Sequence, residues 1–442
     1  MMKPVDVAVI GGGVLGCFAA RNLTRYRLRV ILVEAAEDVC TGITRANSAV
    51  VYAGYDHHPG SWKADLTVRA NESYDQLCAV LDVPFSRCGS LMTACGPKSE
   101  AVLKRKLDQG RKNGVPGLKL LTGDEARERE PMLSSNVTAA LYAPTTGTVN
   151  PWQLGVAAYE SAHINGCEAL LNAPVTSIVP DGVGYRIQTC RGDLFARAVL
   201  NCAGLGAAKV QEFIYPSDVR LRLDGADYLV FEPLTPHPGC ILFEETEAGK
   251  GVTAVPCSEG NLLLESPPRP WRPDYATTRE GLETIRVHGD RWLPGLDFGA
   301  VIRSFGAVRP NPEGADGRDI RDFCLLRPAA AFWSLVGVKT PGLTCANELG
   351  ARIAGECAAA LDAPLNDSFI PERWAIRSAP GSPLVCRCEG VTRDMVLQAI
   401  DRGAVTADGV KRRVGAGMGR CQGSRCAYKI DGMLREKGYG TV

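Results

Sequence analysis

The 442 residues carry 50 Lys and Arg against 49 Asp and Glu, a near balance that excludes a broad electrostatic footprint for nucleic acid or an anionic membrane. At this length two or three domains of roughly 100 to 200 residues are expected. No run of about 18 apolar residues suits a spanning helix, and Gly11 to Gly13 interrupt the first apolar run where an export signal would continue. The 17 cysteines, odd in number and scattered, predict buried thiols plus a metal site in a cytoplasmic protein rather than a disulfide framework.

In chain order, Val5 to Ile10 is a short apolar run, Val14 to Arg25 has helix-spaced apolar residues, and Val30 to Val33 is a second run. The pattern predicts a strand, turn, helix and strand. Gly11, Gly13 and Gly16 supply GxGxxG at the turn, where missing side chains let a pyrophosphate approach the helix N-terminus. Glu34 ends the second strand 18 residues after Gly16, near the spacing at which a carboxylate accepts from ribose hydroxyls. These residues alone leave NAD and FAD both open.

Further extended runs lead from Ala198 into Asn201-Cys202-Ala203-Gly204, and from Trp333 into a turn at Gly342. Between them Tyr228 to Phe231, Ile241 to Glu244, Val252 to Val255 and Asn261 to Glu265 are short strand-like runs, which predict an antiparallel sheet in a second domain. Arg377 to Pro383 reads as a linker, because two prolines and a glycine disfavour helix and interior strand.

The last segment holds a CxC, Cys386 and Cys388, and a C-x4-C, Cys421 and Cys426. Four thiolates suit an iron–sulfur cluster or zinc. Thr392 is placed to cap a helix from Arg393 to about Arg402, and Cys426 begins another helical stretch ending near Gly438.

The run Thr44-Arg45-Ala46-Asn47-Ser48-Ala49-Val50-Val51-Tyr52-Ala53-Gly54-Tyr55-Asp56, with Pro59-Gly60-Ser61 after it, resembles the second flavin-contact segment of the D-amino-acid oxidase superfamily. More narrowly it resembles the branch of anaerobic glycerol-3-phosphate dehydrogenase large subunits and L-2-hydroxyglutarate dehydrogenases. Ser304-Phe305-Gly306-Ala307-Val308-Arg309 and Gly337-Val338-Lys339-Thr340-Pro341-Gly342-Leu343-Thr344 extend the likeness. The CxC with a distant C-x4-C is similar to the bacterioferritin-associated-ferredoxin-like module, which carries a [2Fe-2S] cluster.

The resemblance implies an α/β fold: a discontinuous Rossmann-like FAD-binding domain over 1–85, 145–222 and 300–366, and an antiparallel-sheet substrate domain over 86–144 and 223–299. A linker over 367–384 and a small helical [2Fe-2S] domain over 385–442 complete it. FAD contacts are implied at Gly11, Gly13, Gly16, Glu34, Thr44, Asn47, Ser48, Val175, Ala203, Gly204, Gly306, Gly337, Gly342, Leu343 and Thr344, and cluster ligation at Cys386, Cys388, Cys421 and Cys426.

Arg309 and Lys339 match cation positions for a substrate phosphate or carboxylate, with Arg45 and Arg303 as further candidates. Relatives place His where this chain has Tyr52, so the base is left between Tyr52 and His57. The implied activity is FAD-dependent oxidation of a small anionic alcohol such as sn-glycerol 3-phosphate. Electrons would pass through the cluster to a partner protein or quinone pool, with peripheral membrane association through that partner. A 2-hydroxy-acid dehydrogenase, an amino-acid or amine dehydrogenase of the proline type, and a non-catalytic electron-transfer subunit are the alternatives.

Overall fold

The computed structural model describes residues 4–233, 237–273 and 275–439; the outermost positions of the expected terminal domains, 1–3 and 440–442, lie outside the described residues. Strand Val5–Ile10 is largely apolar on both faces and sits in the parallel part of an eight-stranded sheet, with helices on one face and chiefly the antiparallel hairpin Val175–Asp181 with Gly184–Thr189 on the other. It pairs in parallel with Val30–Val33 and with Gly192–Asn201. Phe332–Val336 adds in parallel beyond Gly192–Asn201, and Glu168–Leu170 beyond Val30–Val33. Helices Val14–Leu23, Pro151–Ile164 and Gly342–Ala360 bury their apolar sides together against one face.

The second sheet has nine strands and is antiparallel except where Ile241–Thr246 meets Ser90–Ala94. Strand Arg220–Phe231 takes Leu262–Glu265 on one side and Val301–Glu313 on the other. The α/β class and the antiparallel second sheet are as expected from sequence, but the chain crosses between sheets at different places. Val301–Glu313 pairs with Arg220–Phe231 from Arg220↔Glu313 to Phe231↔Val301, so 301–313 belongs to the substrate sheet rather than the flavin domain. One long ladder satisfies the backbone of both strands.

Gly306 therefore lies inside a strand. A Cβ there would stand 2.5 Å from the Tyr275 carbonyl oxygen, which is why the position is glycine.

The C-terminal module has a short hairpin, Leu384–Cys386 with Val391–Thr392, and helices Arg393–Asp401, Ala407–Val414 and Ala427–Glu436. Its own core includes Val391, Val396, Ile400, Val410, Ile430 and Leu434. The Thr392 hydroxyl donates to Ser378 Oγ at 2.8 Å instead of capping the next helix, and Ser382 Oγ accepts from the Asp394 N–H. The segment expected to be a linker is anchored: Arg373 is 5 % exposed beside Glu160, and Arg377 pairs with Asp82. No helix among the described residues is long and apolar enough to cross a membrane.

Candidate active site and cluster site

A cavity of ≈ 300 Å3 opens between the two sheets, lined from one by Gly11, Gly13 and Glu34 and from the other by Tyr228 and Arg309. Two helix N-termini point into it. Helix Val14–Leu23 begins after Gly13 and helix Gly342–Ala360 after Pro341; neither N-cap residue supplies a capping side chain, although Thr44 Oγ1 takes the Val14 N–H of the first. Their free N–H groups and positive dipole ends favour negative groups at both ends of the cavity.

The glycines are there for close approach. Gly11 has φ +104°, and a Cβ on Gly16 would lie 1.9 Å from the Gly11 carbonyl oxygen, whereas one on Gly13 would meet only Thr44 Oγ1 at 3.5 Å. Gly11 and Gly16 thus pack strand against helix, and Gly13 leaves the helix end open to a ligand. Glu34 accepts from the N–H groups of Gly12 at 2.5 Å and Ala36 at 2.9 Å, which aims its carboxylate along the cavity wall.

Thr44, Asn47, Ser48, Ala203, Gly204, Gly342, Leu343 and Thr344 also line the cavity. Thr44 Oγ1 accepts from Val14 N–H, and Asn47 braces its own turn through Thr44 O and Ala49 N–H. Thr344 Oγ1 accepts from Tyr52 N–H at 3.1 Å, tying the flavin-side helix to the strand run before it. Val175, Gly306 and Gly337 lie off the lining: Val175 packs on the apolar cluster behind the parallel sheet, and Gly337 passes Pro312 too closely for a Cβ.

At the end made by the second sheet, Arg309 pairs with Glu265, whose side chain is 2 % exposed. Lys250 stands 3.2 Å from the same carboxylate. Burial alone would raise the Glu265 carboxyl, but the charges of Lys250 and Arg309 hold it below the ordinary range. Lys250 keeps 40 % of its side chain exposed, but desolvation of its ammonium group lowers its pKa. Lys339 is held by Asn311 Oδ1. Tyr52 stacks on Phe243 at 6.2 Å, and burial followed by the Glu265 charge pushes its hydroxyl up to about 12.

His57 is not in the cavity. Its Nε2 is buried without a partner, and burial lowers the ring to about 4. Arg45 is exposed outside the lining. Lys250 and Glu265 went unseen in the sequence; the one signal was a glutamate closing an otherwise apolar strand, Leu262–Glu265, all of whose residues are buried.

In the C-terminal module the four thiols come together as two pairs. Cys388 Sγ lies 3.8 Å from Cys421 Sγ, and Cys426 is hydrogen-bonded with Cys386. Backbone N–H groups of Arg425 and Gly423 donate to Cys421 and lower its pKa, which favours a thiolate ligand. No three His, Cys, Asp or Glu side chains among the described residues close on a single ion position. Two thiol pairs suit two irons, each taking two thiolates, better than one tetrahedral zinc. A Cβ on Gly419 would lie 2.3 Å from the Cys388 Cβ, so the ligand loops meet only through glycine.

The model for the family described as FAD dependent oxidoreductase matches residues 6–355. The chain belongs to the DAO family of FAD-dependent oxidoreductases. Residues 384–436 match a BFD-like [2Fe-2S] binding domain, so this DAO-family chain has sites for two redox groups. It is 35 % identical to glycerol 3-phosphate dehydrogenase of Caloramator mitchellensis over 98 % of this chain and 94 % of that one. It is 26 % identical to anaerobic glycerol-3-phosphate dehydrogenase subunit A1 of Haloferax volcanii, over 97 % and 82 %. Its fold matches the FAD-bound L-alpha-glycerophosphate oxidase of Mycoplasma pneumoniae with TM-score 0.77 at 22 % identity, over 85 % of this chain and all of that one. This DAO-family chain is a glycerol-3-phosphate dehydrogenase-like oxidoreductase.

Proposed function

We propose that the enzyme oxidises sn-glycerol 3-phosphate or a closely similar anionic alcohol, and that electrons leave through the [2Fe-2S] module to a separate protein. The observation that carries this is that Arg309 and Lys339 both line the cavity, with Lys250 adding a third cation beside Glu265, the buried partner of Arg309. The excess of positive charge suits a phosphate, and Arg309, held by Glu265, presents a fixed fork to it.

Bound FAD supplies the acceptor for a hydride drawn from the carbon that bears the hydroxyl. The chain's own groups hold the substrate and manage its proton. Tyr52, neutral at physiological pH, offers the hydroxyl a hydrogen bond without taking its proton. Lys250, lowered in pKa, partly exposed and 3.2 Å from Glu265, is the group suited to carry that proton outward. Tyr228 stacks on Phe305 at 4.6 Å and walls the site with apolar surface.

The Haloferax volcanii relative is by name one subunit of its dehydrogenase, which supports a protein partner here. Cys388, exposed at the surface, is the edge such a partner would meet. Anaerobic mixing with sn-glycerol 3-phosphate, glycerol, L-2-hydroxyglutarate and proline tests the reading: the phosphorylated polyol should bleach the flavin fastest. Bleaching by proline alone would replace the reading with the amine dehydrogenase class.

A further inference from the structure

Four acids of the flavin domain, Glu37, Asp38, Asp82 and Glu160, meet five arginines of the C-terminal segment along one seam. Asp38, 2 % exposed, accepts from Arg413 Nη1 at 2.7 Å, Arg413 Nη2 at 3.0 Å and Arg412 Nη2 at 3.0 Å. Glu160 stands 3.3 Å from Arg373, 3.6 Å from Arg402 and 3.9 Å from Arg413. Asp82 accepts twice from Arg377 at 2.8 Å. Burial would raise the Asp38 carboxyl, but hydrogen bonds and charge from Arg413 and Arg412 hold it below its ordinary value.

The seam is not built for stability alone. The Nε atoms of Arg373, Arg412 and Arg413 and Oε1 of Glu160 are buried without hydrogen-bond partners, and a buried ionic set of this kind is often no more stable than apolar packing. What a forked guanidinium on a fixed carboxylate supplies is orientation.

Its location says what is oriented. Asp38 lies between Glu34 and the stretch Thr41 to Ser48, both on the cofactor cavity, and Cys40 N–H, two residues on, donates to Gly12 O. Helix Ala407–Val414, which carries Arg412 and Arg413, leads directly into the cysteine loop. That loop makes a second contact, Arg420 to Glu232 at 3.3 Å. Glu232 follows the strand whose Tyr228 lines the cavity, about 13 Å further along at roughly 3.3 Å per residue.

We propose that Asp38, gripped by Arg412 and Arg413, is the positioning residue for electron transfer from the flavin site to the cluster. It rests on the electron route proposed above. The substrate's C–H and O–H give up two electrons and two protons. The protons leave to solvent. Each electron in turn reduces one ferric iron of the cluster to ferrous, and a one-electron acceptor protein or dye reoxidises it before the second follows. Because transfer falls steeply with separation, loosening the seam slows this step and leaves the step before it intact.

The test uses the holoenzyme with both groups loaded, comparing wild type with Asp38→Asn. Under anaerobic mixing with sn-glycerol 3-phosphate, flavin bleaching and the paramagnetic signal of the reduced cluster are followed together, and deuterium uptake is measured over 407–414. The variant should keep FAD, iron and labile sulfide, bleach its flavin at the wild-type rate, take up deuterium faster, and reduce its cluster more slowly by on the order of tenfold. Faster uptake with an unchanged rate of cluster reduction would overturn the proposal. A wild-type cluster that substrate never reduces would instead refute the electron route. If Asp38→Asn does not fold or load, Glu160→Gln at the same seam is judged by the same two readouts.

Discussion

Arg309 meets Glu265 across strand Arg220–Phe231: the guanidinium sits on one flanking strand, the carboxylate on the other, and Tyr228 hydrogen-bonds both. Arg309→Ala should therefore both remove a cation from the site and leave Glu265 with Lys250 alone. The loss of kcat/KM should be about 2 to 5 kcal/mol on an anionic substrate, with FAD content unchanged by absorbance. Wild-type kcat/KM in the variant would reduce the pair to a brace within the sheet.

Tyr52 keeps its proton, since burial and the Glu265 charge push it up to about 12. Tyr52→Phe should lower kcat/KM by roughly 2- to 10-fold through loss of one hydrogen bond. The shape of the pH–rate profile should stay the same. Disappearance of its acid limb would make Tyr52 the base after all.

His57 is lowered from 6.5 to about 4 by burial. The unfolded chain then binds a proton that the folded chain refuses, so stability is full above 6.5 and falls as pH drops from 6.5 towards 4. His57→Asn should remove on the order of 1 to 3 kcal/mol of that acid-side loss. Urea unfolding at either end of that window would show it, and an unchanged slope would mean that His57 titrates normally.

Gly16→Ala is expected to give flavin-free protein that keeps only the cluster's visible absorption, because its Cβ has 1.9 Å of room before the Gly11 carbonyl oxygen. FAD recovered at wild-type stoichiometry after purification would show that the turn can shift.

Cys421→Ser should remove iron and labile sulfide while the flavin bands remain, since the thiol pairs and the cavity are built from separate residues. Metal analysis that finds equimolar zinc in the wild type, with no sulfide, would sink the cluster assignment.

What could be read in the sequence was what local sterics or spacing demand. Gly11 and Gly16 are legible because only glycine survives a Cβ-free contact, and the four ligand cysteines because thiolates at that spacing have few other uses. Gly306 is not legible in this way, because a glycine inside a strand looks like any other until its neighbour, the Tyr275 carbonyl, is seen. Lys250 sits at the exposed start of a strand whose next five residues are all buried, and nothing near it in sequence announces Glu265 across the sheet. Asp38 is one acid in the run Glu34 to Asp38, and its two partners lie in another domain.

That last separation has a consequence for synthesis. Asp38 and Arg413 are 375 positions apart, so on a ribosome adding about 5 to 20 residues per second the acid precedes its counterion by roughly 20 to 75 seconds. Through that interval Asp38 has neither guanidinium to offset its burial. A chain released before Arg412 carries the fault at its opposite end, as a carboxylate left without the two cations that hold it down.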